Sequence, residues 1–259
     1  MFQLEKKLEI TKQPRLVFQY ARSEADIRAA QKLRWRVFAD EMGASLSSPE
    51  PGVDMDRFDA LCDHLLARDT RTNEVVGTYR ILNARQAEQA GGFYSDTEFD
   101  LSRLAHVRDH VMEVGRACVH PDYRSGATIA VLWAGLADYI KSHQVQYLMG
   151  CASISMIDGG FAAANIYRQL AEHNLAPIDW RVFPKCPLPL ERLESASAVN
   201  AEVPPLIKAY LRVGAYVCGE PAWDPDFNTA DCLLLLPTAN MDHRYSRHFM
   251  KQSVTEKLL

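Results

Sequence analysis

Apolar residues recur along the chain at two spacings, and each spacing predicts one type of element. Apolar residues at nearly every position or at every second position predict strands, at residues 16–21, 64–70, 74–82, 111–119 and 145–156 and in the later runs AYVCGE and DCLLLLP. Apolar residues three or four positions apart predict helices, at residues 24–43, 128–142, 159–173 and 204–214, with a short one near 100–107. Strands interspersed with helices, beginning with a hairpin, favour an α/β or α+β domain with one mixed sheet.

Segments without this periodicity divide the chain. Residues 1–15 predict a polar N-terminal arm, 16–237 a single domain, and 238–259 a C-terminal tail. Residues 45–56, SLSSPEPGVDMD, are rich in Ser, Pro and Gly and therefore predict a loop. A loop of this length can cover a binding site.

The overall charge narrows the class of partner. The net charge is −4, so the chain lacks the basic footprint of a nucleic-acid-binding protein and we expect no nucleic-acid partner. No apolar run reaches the roughly 18 residues that a membrane-spanning helix needs. The first ten residues, MFQLEKKLEI, lack the apolar core of a secretory signal.

Six cysteines are scattered along the chain without a Cys-x-x-Cys pair. Four of them lie in apolar, strand-like surroundings, which predict buried free thiols in a reducing cytosol. We therefore expect a cytoplasmic protein without disulfides and without a metal site.

The stretch EVGRACVHPDYRSGATIAVLW, residues 113–133, predicts a strand, a tight turn and a buried helix. It matches neither a P-loop nor a dinucleotide-binding fingerprint, because Gly126 is the one glycine of the turn. The start of a helix still offers free backbone N–H groups and a positive dipole end, which can hold a single phosphate. The alternative is an ordinary turn between a strand and a helix.

Other patterns predict no site. His64 and Asp69 lie five apart in a predicted strand, so their side chains should point to opposite faces. His106 and His110 have the spacing of a helical zinc pair, but no glutamate follows His106. No Gly-x-Ser-x-Gly elbow is present, which argues against a serine hydrolase.

Several short motifs occur in a fixed order. These are Arg34 with Phe38, Asp56 with Asp59, Arg80 on the predicted hairpin, and Glu113 with Arg116. The set resembles the Gcn5-related N-acyltransferase (GNAT) superfamily, in particular acyl-homoserine-lactone synthases. The segments FDALCDHLLARD, EVGRACVHPDYRSGATIAVLWAGLADYI and PPLIKAYLRVGAYVCGEPAWDPDFNTAD more closely resemble the L-ornithine Nα-acyltransferases of ornithine-lipid synthesis. The likeness extends over roughly residues 20–236.

The resemblance implies a GNAT-like fold, with a mixed, mostly antiparallel central sheet flanked by helices. It implies transfer of a 3-hydroxyacyl group from acyl carrier protein to the α-amine of L-ornithine. The donor would be the 4′-phosphopantetheine arm of that partner, and no permanently bound cofactor is expected. The superfamily turn usually reads Arg/Gln-x-x-Gly-x-Gly/Ala, and residues 124–128, RSGAT, depart from that spacing.

The resemblance also assigns roles to individual residues. The catalytic residues are Glu113 and Arg116. The acyl-donor site comprises Cys118, Val119, Arg124, Ser125, Gly126, Ala127 and Thr128. The acceptor site comprises Arg34, Phe38, Asp56, Asp59, Arg80, Trp223 and Asp226. No residue is assigned to a metal.

Two hypotheses for Glu113 stay open. Amide formation needs a neutral amine, so Glu113 can act as the base that takes the proton. Alternatively, Glu113 and Arg116 form a structural ion pair. On a regular strand these two side chains would point to opposite faces, but Gly115 between them permits a bulge that re-aims one of them.

The acceptor residues also have a structural alternative. The aspartates and arginines can hold the ammonium and carboxylate groups of ornithine, or they can pair with each other and fix the loop to the sheet. Phe38 can belong to the core. Trp223 and Asp226 can belong to a structural loop.

Partners and acceptors leave further alternatives. Arg28, Lys32 and Arg36 form a basic stripe on the first helix, suited to an acidic carrier protein or simply to water. The tail, with Arg244 and Lys251, is able to contact an anionic membrane transiently. Other acceptors, such as glycine or S-adenosylmethionine, and a binding module without turnover are the competing hypotheses.

Overall fold

Strand-forming runs of Val, Leu, Ile and Tyr build one large sheet. A computed structural model describes residues 15–193 and 201–241. The strands are β1 (Leu16–Tyr20), β2 (Asp63–Asp69), β3 (Val75–Asn83), β4 (Phe99–Asp100), β5 (Val111–Val119), β6 (Tyr147–Ser155), β7 (Phe183–Pro184), β8 (Tyr216–Val217), β9 (Ala222–Asp224) and β10 (Thr229–Pro237). The predicted N-terminal arm, except Arg15, and the tail beyond residue 241 lie outside the described residues.

The large sheet has the strand order β1-β2-β3-β5-β6-β10-β8, with β9 paired to β10. All of its pairs are antiparallel except β5 and β6, which run parallel. The short strands β4 and β7 form a separate ladder. The predicted mixed, mostly antiparallel sheet is confirmed.

The parallel pair at the centre of the sheet separates soon after it begins. Within the described residues, β5 and β6 pair through three positions, from Val111 opposite Tyr147 to Glu113 opposite Met149. Gly150 follows at once, and a Cβ atom there would lie 2.3 Å from the carbonyl oxygen of Val114. The strands thus come closest where one of them has no side chain, and then diverge into a fork.

Helices cover both faces of the sheet. They are α1 (Glu24–Trp35), α2 (Ala84–Ala90), α3 (Ser95–Glu98), α4 (Gly126–Ser142), α5 (Phe161–His173) and α6 (Pro205–Arg212). Tyr79 and Ile81 of β3 share a core cluster with Leu132 of α4. Arg80, between them, points to the opposite face, because side chains alternate along a strand.

The connection between β3 and β5 is more regular than the sequence analysis predicted. It contains α2, α3 and a 3₁₀ helix at Ser102–His110, where one short helix near 100–107 was expected. Asn83 and Gln86 form a capping box at the start of α2, and Gly91 ends it with φ of 78°. These are ordinary start and stop signals, but α2 is too short for its apolar periodicity to show.

The four long predicted helices differ from the structure at one or both ends, and two of these differences bear on the site. The first helix is α-helical as far as Trp35 and continues as one π-helical turn over Arg36–Glu41. The helix predicted from residue 128 begins at Gly126, so Thr128 lies inside its first turn. Ser23 caps α1 as predicted, accepting a hydrogen bond from the backbone of Asp26 at 3.2 Å.

The six cysteines are free thiols, as the sequence predicts, and Cys118, Cys218 and Cys232 are buried.

In the part of the chain that the structure describes, no helix combines the length and the apolar character needed to cross a membrane.

The fork makes a prediction about Gly150. Replacing Gly150 with Ala forces the new methyl group against the backbone of β5. Backbone cannot rotate away, so we expect the free energy of unfolding to fall by about 1–3 kcal/mol. Urea denaturation measures this change.

Gly115→Ala is the matched control, because a Cβ atom at Gly115 meets nothing within 4 Å. We expect it to stay within about 0.5 kcal/mol of the wild type. Equal stability of the two variants would show that the fork does not depend on close approach at Gly150.

Candidate active site

The fork between β5 and β6 opens into a cavity of about 350 Å³. Residues 114–119 of β5 line one side and residues 150–153 of β6 line the other. The apolar part of its wall comes from Leu148, Leu206, Tyr210, Leu234 and Leu236. The polar part comes from Arg80, Tyr94, Glu113, Arg116, Asp224 and Asp231. One cavity therefore offers both an apolar slot and a charged centre.

A second cavity of about 440 Å³ lies beside the first. The loop at residues 45–56 forms part of its wall, as do Glu98, Trp223 and Asp226. Both cavities share Tyr94, Arg116 and Asp224. We call the place where they meet the junction.

Arg116 reaches the junction through a bulge in β5. Arg80 of β3 lies opposite Gly115 and Thr78 lies opposite Cys118, so two residues of β5 face one of β3. Arg116 has φ of 50°, a left-handed conformation that is uncommon outside glycine. The predicted bulge is present, but Arg116, and not Gly115, takes the unusual conformation.

The guanidinium of Arg116 is enclosed by acids and rings. Its Nε lies 3.2 Å from Asp54 Oδ2 and its Nη2 lies 3.4 Å from Asp56 Oδ2. The rings of Tyr94 and Phe227 lie 5.0 and 4.5 Å from its central carbon. Acidic neighbours keep Arg116 charged, and its pKa lies above the ordinary value although burial opposes this.

Two further arginines lie in the same ionic network. Arg34 is fully buried, and its Nε lies 2.9 Å from Asp54 Oδ2 while its Nη2 lies 2.5 Å from Asp59 Oδ1. Arg80 Nη1 lies 2.7 Å from Asp56 Oδ1 and 3.1 Å from Asp59 Oδ2. Burial alone raises the pKa of Asp59, but Arg34 and Arg80 outweigh it, and the pKa lies below the ordinary value.

This network fixes the 45–59 segment to the sheet, which is the structural alternative that the sequence left open. Arg34 and Asp59 are not among the described residues that line the two cavities, whereas Arg80 lines the first and Asp56 the second. Phe38 lines the first cavity and packs edge-to-face against Phe227.

Glu113 has different partners from those that the sequence suggests. Its carboxylate accepts hydrogen bonds from the backbone N–H groups of Tyr94 at 2.7 Å and Ser95 at 2.8 Å, and from the Ser95 hydroxyl. Among the described residues no ion pair joins it to Arg116, which argues against the alternative hypothesis of a structural ion pair between these two. Glu113 instead holds the start of α3 against β5. Burial raises its pKa, and the bonds from Ser95 and Tyr94 oppose that rise.

Two buried acids that the sequence analysis did not identify lie near the junction. Both carboxylate oxygens of Glu98 are buried without a hydrogen-bond partner in the described structure. Asp231 is 4% exposed and accepts a hydrogen bond from Thr229 Oγ1 at 2.9 Å. Burial raises the pKa of both, and the charge of Asp231 raises the pKa of Glu98 further. Tyr94 and Cys151 oppose the rise at Glu98, although neither makes a hydrogen bond of ordinary geometry.

A sequence signal existed for one of these acids. Asp231 is the one charged residue in the buried strand TADCLLLLP, and an acid at such a position usually has a function. Glu98 lies in a polar connection, where nothing in the sequence sets it apart.

A metal ion is one conceivable occupant of this region. Ligand atoms of Glu98, Cys151 and Asp231 lie within 4.8 Å of one another. Metal binding needs a thiolate. Burial, followed by the charges of Glu98 and Asp231, raises the pKa of Cys151 well above its ordinary value. A neutral thiol and two carboxyl groups make a weak metal site.

In the turn before α4, some of the residues assigned to the donor site line the first cavity and others are engaged in contacts within the protein. Cys118, Val119 and Arg124 line the first cavity, and Arg124 Nη1 and Nη2 lie 2.5 and 2.6 Å from the two oxygens of Glu41. Thr128 is buried and its hydroxyl donates to the carbonyl of Tyr123 at 2.7 Å.

Ser125 precedes α4 without a side-chain cap, and residues 126 and 127 are exposed. The first N–H groups of α4 are therefore left to an outside partner. A phosphate at this position would be held by backbone amides more than by the Thr128 hydroxyl.

Comparisons with known proteins show what the sequence is similar to. The family model described as an acetyltransferase (GNAT) domain matches residues 33–134. The L-ornithine N(alpha)-acyltransferase of Brucella abortus (strain 2308) is 39% identical over 88% of this chain and 86% of its own length. The protein of that name from Rhodobacter capsulatus is also 39% identical, over 90% of this chain and 93% of its own length.

Solved structures show a shared fold at lower identity. BjaI, a CoA-dependent acyl-homoserine lactone synthase, matches with a TM-score of 0.54 at 15% identity, over 92% of this chain and 89% of its own. FeeM, an N-acyl amino acid synthase from uncultured soil microbes, matches with a TM-score of 0.54 at 15% identity, over 88% and 93%.

The ionic network makes a prediction about Asp59. Asp59→Asn leaves Arg34 and Arg80 short of a counter-charge, and removing one partner of a buried pair costs about 3–5 kcal/mol. The lowered pKa places this stabilisation above about pH 4, the ordinary carboxyl pKa, and it is lost as pH falls through the lower folded value. We expect a large loss at pH 7 and a smaller difference near pH 3, measured by urea unfolding.

Asp109→Asn is the control, because Asp109 is exposed and should change stability by no more than about 0.5 kcal/mol. A difference between wild type and Asp59→Asn that stays constant down to pH 3 would contradict the assigned pKa direction.

Proposed function

Because this chain belongs to the family of L-ornithine Nα-acyltransferases, we propose that it transfers a 3-hydroxyacyl group from acyl carrier protein to the α-amine of L-ornithine. The observation that carries the proposal is the cavity through the β5–β6 fork, which joins an apolar slot to a charged junction. An acyl thioester has the same two parts, an apolar chain and a polar reacting carbonyl.

The fork suits the donor. Beyond Glu113 no strand of the described residues pairs with the edge of β5 that faces β6, so this edge can accept an extended chain. The phosphopantetheine arm has amide groups that can bind along such an edge. The uncapped start of α4 then lies beyond Val119, where the phosphate of the arm needs donors.

The second cavity suits the acceptor. It reaches the first at Tyr94, Arg116 and Asp224, so an amino acid entering there meets the thioester at the junction. The amine nitrogen attacks the carbonyl carbon, the C–N bond forms and the C–S bond breaks. The sulfur leaves as the pantetheine thiolate, and the proton that the amine gives up passes to this thiolate, so the released arm carries a free thiol.

Arg116 is the group best placed to stabilise the negative charge that develops on the carbonyl oxygen. It is charged, enclosed and held in a strained conformation by the fold, so little reorganisation is needed during reaction. In this proposal Arg116 touches the reacting atoms.

The decisive experiment uses the purified full-length chain with 3-hydroxyacyl carrier protein and a mixture of amino acids that includes ornithine and glycine. We expect thiol release and one main product, Nα-acylornithine, identified by mass spectrometry. Donor without amino acid is the control for hydrolysis. If glycine is acylated in preference to ornithine, glycine is the acceptor and ornithine is not. Tight binding of carrier protein without product would indicate a binding module.

The product of this reaction is an amphipathic lyso-lipid, so we propose a transient contact with the inner membrane by a cytoplasmic enzyme. The basic tail that would make the contact lies outside the described residues.

The role of Glu113 can be tested by a pH profile. Both of its oxygens already accept hydrogen bonds from residues 94 and 95, so we expect it to position α3 and not to take the proton. Glu113→Gln should then lower turnover by about a hundredfold, the scale of a small displacement of reacting groups, and by the same factor at each pH from 6 to 9.

Ser95→Ala is the matched variant, because it removes one hydrogen-bond donor to Glu113. A smaller, equally pH-independent loss is expected. If Glu113 is instead the base, the activity of Glu113→Gln recovers as pH rises. Ser95→Ala then shifts the pH profile to higher pH, because the hydrogen bond that it removes lowers the pKa of Glu113 in the wild type.

The basic stripe on α1 can be tested as a docking surface for the acidic carrier protein. Arg36 Nη1 lies 2.5 Å from His120 Nε2, and the next residues, Val37 and Phe38, line the first cavity. The stripe therefore leads to the donor side. We expect Lys32→Glu with Arg36→Glu to raise KM for acyl carrier protein about tenfold, through lost electrostatic attraction.

Acyl-pantetheine lacks the protein part of the donor and therefore separates docking from chemistry. It should react equally with the wild type and with the double variant. Arg71→Glu with Arg85→Glu is the control, since both arginines are exposed elsewhere. An unchanged KM for acyl carrier protein would show that the stripe is an ordinary solvated surface.

A further inference from the structure

The junction holds more acidic groups than basic groups that are free to pair with them. Asp231 is buried there, Glu98 and Asp224 are half-buried, and both carboxylate oxygens of Glu98 are themselves buried. In the described part of the chain, no Lys or Arg lies within salt-bridge distance of any of these three acids. Buried acids normally have a cationic or hydrogen-bonding partner, so these acids lack the cationic partner that such groups usually have.

Nearby cations of the chain already have contacts of their own, including Arg57, which lines the second cavity and lies over the ring of Phe58 at 4.6 Å. Arg116 lies between Asp54 and Asp56. Arg80 lies between Asp56 and Asp59. The Nζ of Lys185 donates to the carbonyl of Asp96 at 2.6 Å. None of them can turn to Glu98 without breaking its own contact.

The orphaned carboxylate oxygens of Glu98 are a second, independent sign of a missing ligand. They are buried and have no hydrogen-bond donor, a state that costs free energy unless a donor arrives. The side chain of Glu98 lies on the wall of the second cavity, and Asp231 lies on the wall of the first. A ligand spanning the junction reaches both.

We propose that Glu98 and Asp231 form the subsite for the side-chain ammonium of a diamino acid acceptor, with Asp224 adding negative charge beside it. This rests on the proposed function, because the acceptor is taken to be ornithine. Oxygen atoms of Glu98 and Asp231 lie within 4.8 Å of each other, so one nitrogen can lie at hydrogen-bond distance, about 2.8 Å, from both. An ammonium group brings three donors.

The chemistry favours the side-chain amine over the α-amine at this position. An amine held between carboxylates stays protonated, because the negative charges stabilise the ammonium form. A protonated amine does not attack a thioester. The subsite would therefore keep the side-chain nitrogen unreactive and leave the α-amine as the nucleophile, which explains selectivity for the α position as well as for a basic acceptor.

The test compares ornithine with norvaline, which is the same amino acid without the terminal amine. Glu98→Gln and Asp231→Asn keep shape and remove charge. In competition assays with 3-hydroxyacyl carrier protein we expect each variant to lower the preference for ornithine about ten- to a hundredfold, the value of a hydrogen bond between charged groups. Turnover with norvaline, which has no terminal amine to bind there, should fall less than turnover with ornithine in each variant.

Glu88→Gln, on the exposed face of α2, is the matched control and should keep the wild-type preference. Thermal unfolding checks the fold. We expect both variants to unfold at or above the wild-type temperature, since each replaces a buried acid that has no basic partner by a neutral amide. A structural role for these acids predicts a lower unfolding temperature instead.

Calorimetric binding of ornithine and norvaline to the same proteins separates the possible failures. If the wild type binds ornithine and the variants do not, but no acyl transfer occurs, the subsite stands and the proposed function fails. If the wild type acylates ornithine and the variants keep its preference over norvaline, the subsite is wrong and the function stands. If the wild type neither binds nor acylates ornithine, both fail.

Discussion

The early separation of β5 from β6 is the constraint on which the rest of the site depends. Two neighbouring parallel strands would normally pair along their whole length, and here they pair through three positions. Gly150 allows the closest approach at the branch. Beyond it the sheet gives up hydrogen bonds and gains a cavity inside its own plane, lined by backbone groups of β5 and by the apolar residues of β6 and β10.

The fork also determines where charge can be buried. On one side of the junction, three arginines and three aspartates of the network neutralise each other and fix the 45–59 segment to the sheet. On the other side, Glu98 and Asp231 have no such partners. Arg116 lies between the two groups because the bulge in β5 turns its side chain there.

The fold could be predicted from the sequence further than the site could. Strand β5 has the predicted bounds, Val111–Val119, because its apolar run ends at a proline turn. Arg34 and Asp59 were found through the family resemblance, yet a resemblance does not say whether such residues bind a substrate or each other. The partner of Glu113 is the start of α3, which contacts β5 only through tertiary packing. Glu98 is invisible in the sequence for the same reason.

The two groups of charges have different consequences for stability and function. A neutralised network holds its geometry in the absence of ligand, so Arg116 is preorganised before any substrate arrives. Buried acids without partners cost free energy in the free protein, and burial raises their pKa. A bound cation would supply the missing partner and return that free energy as affinity. The acids without cationic partners can therefore select the acceptor, provided that the fork keeps the ionic network around Arg116 in place.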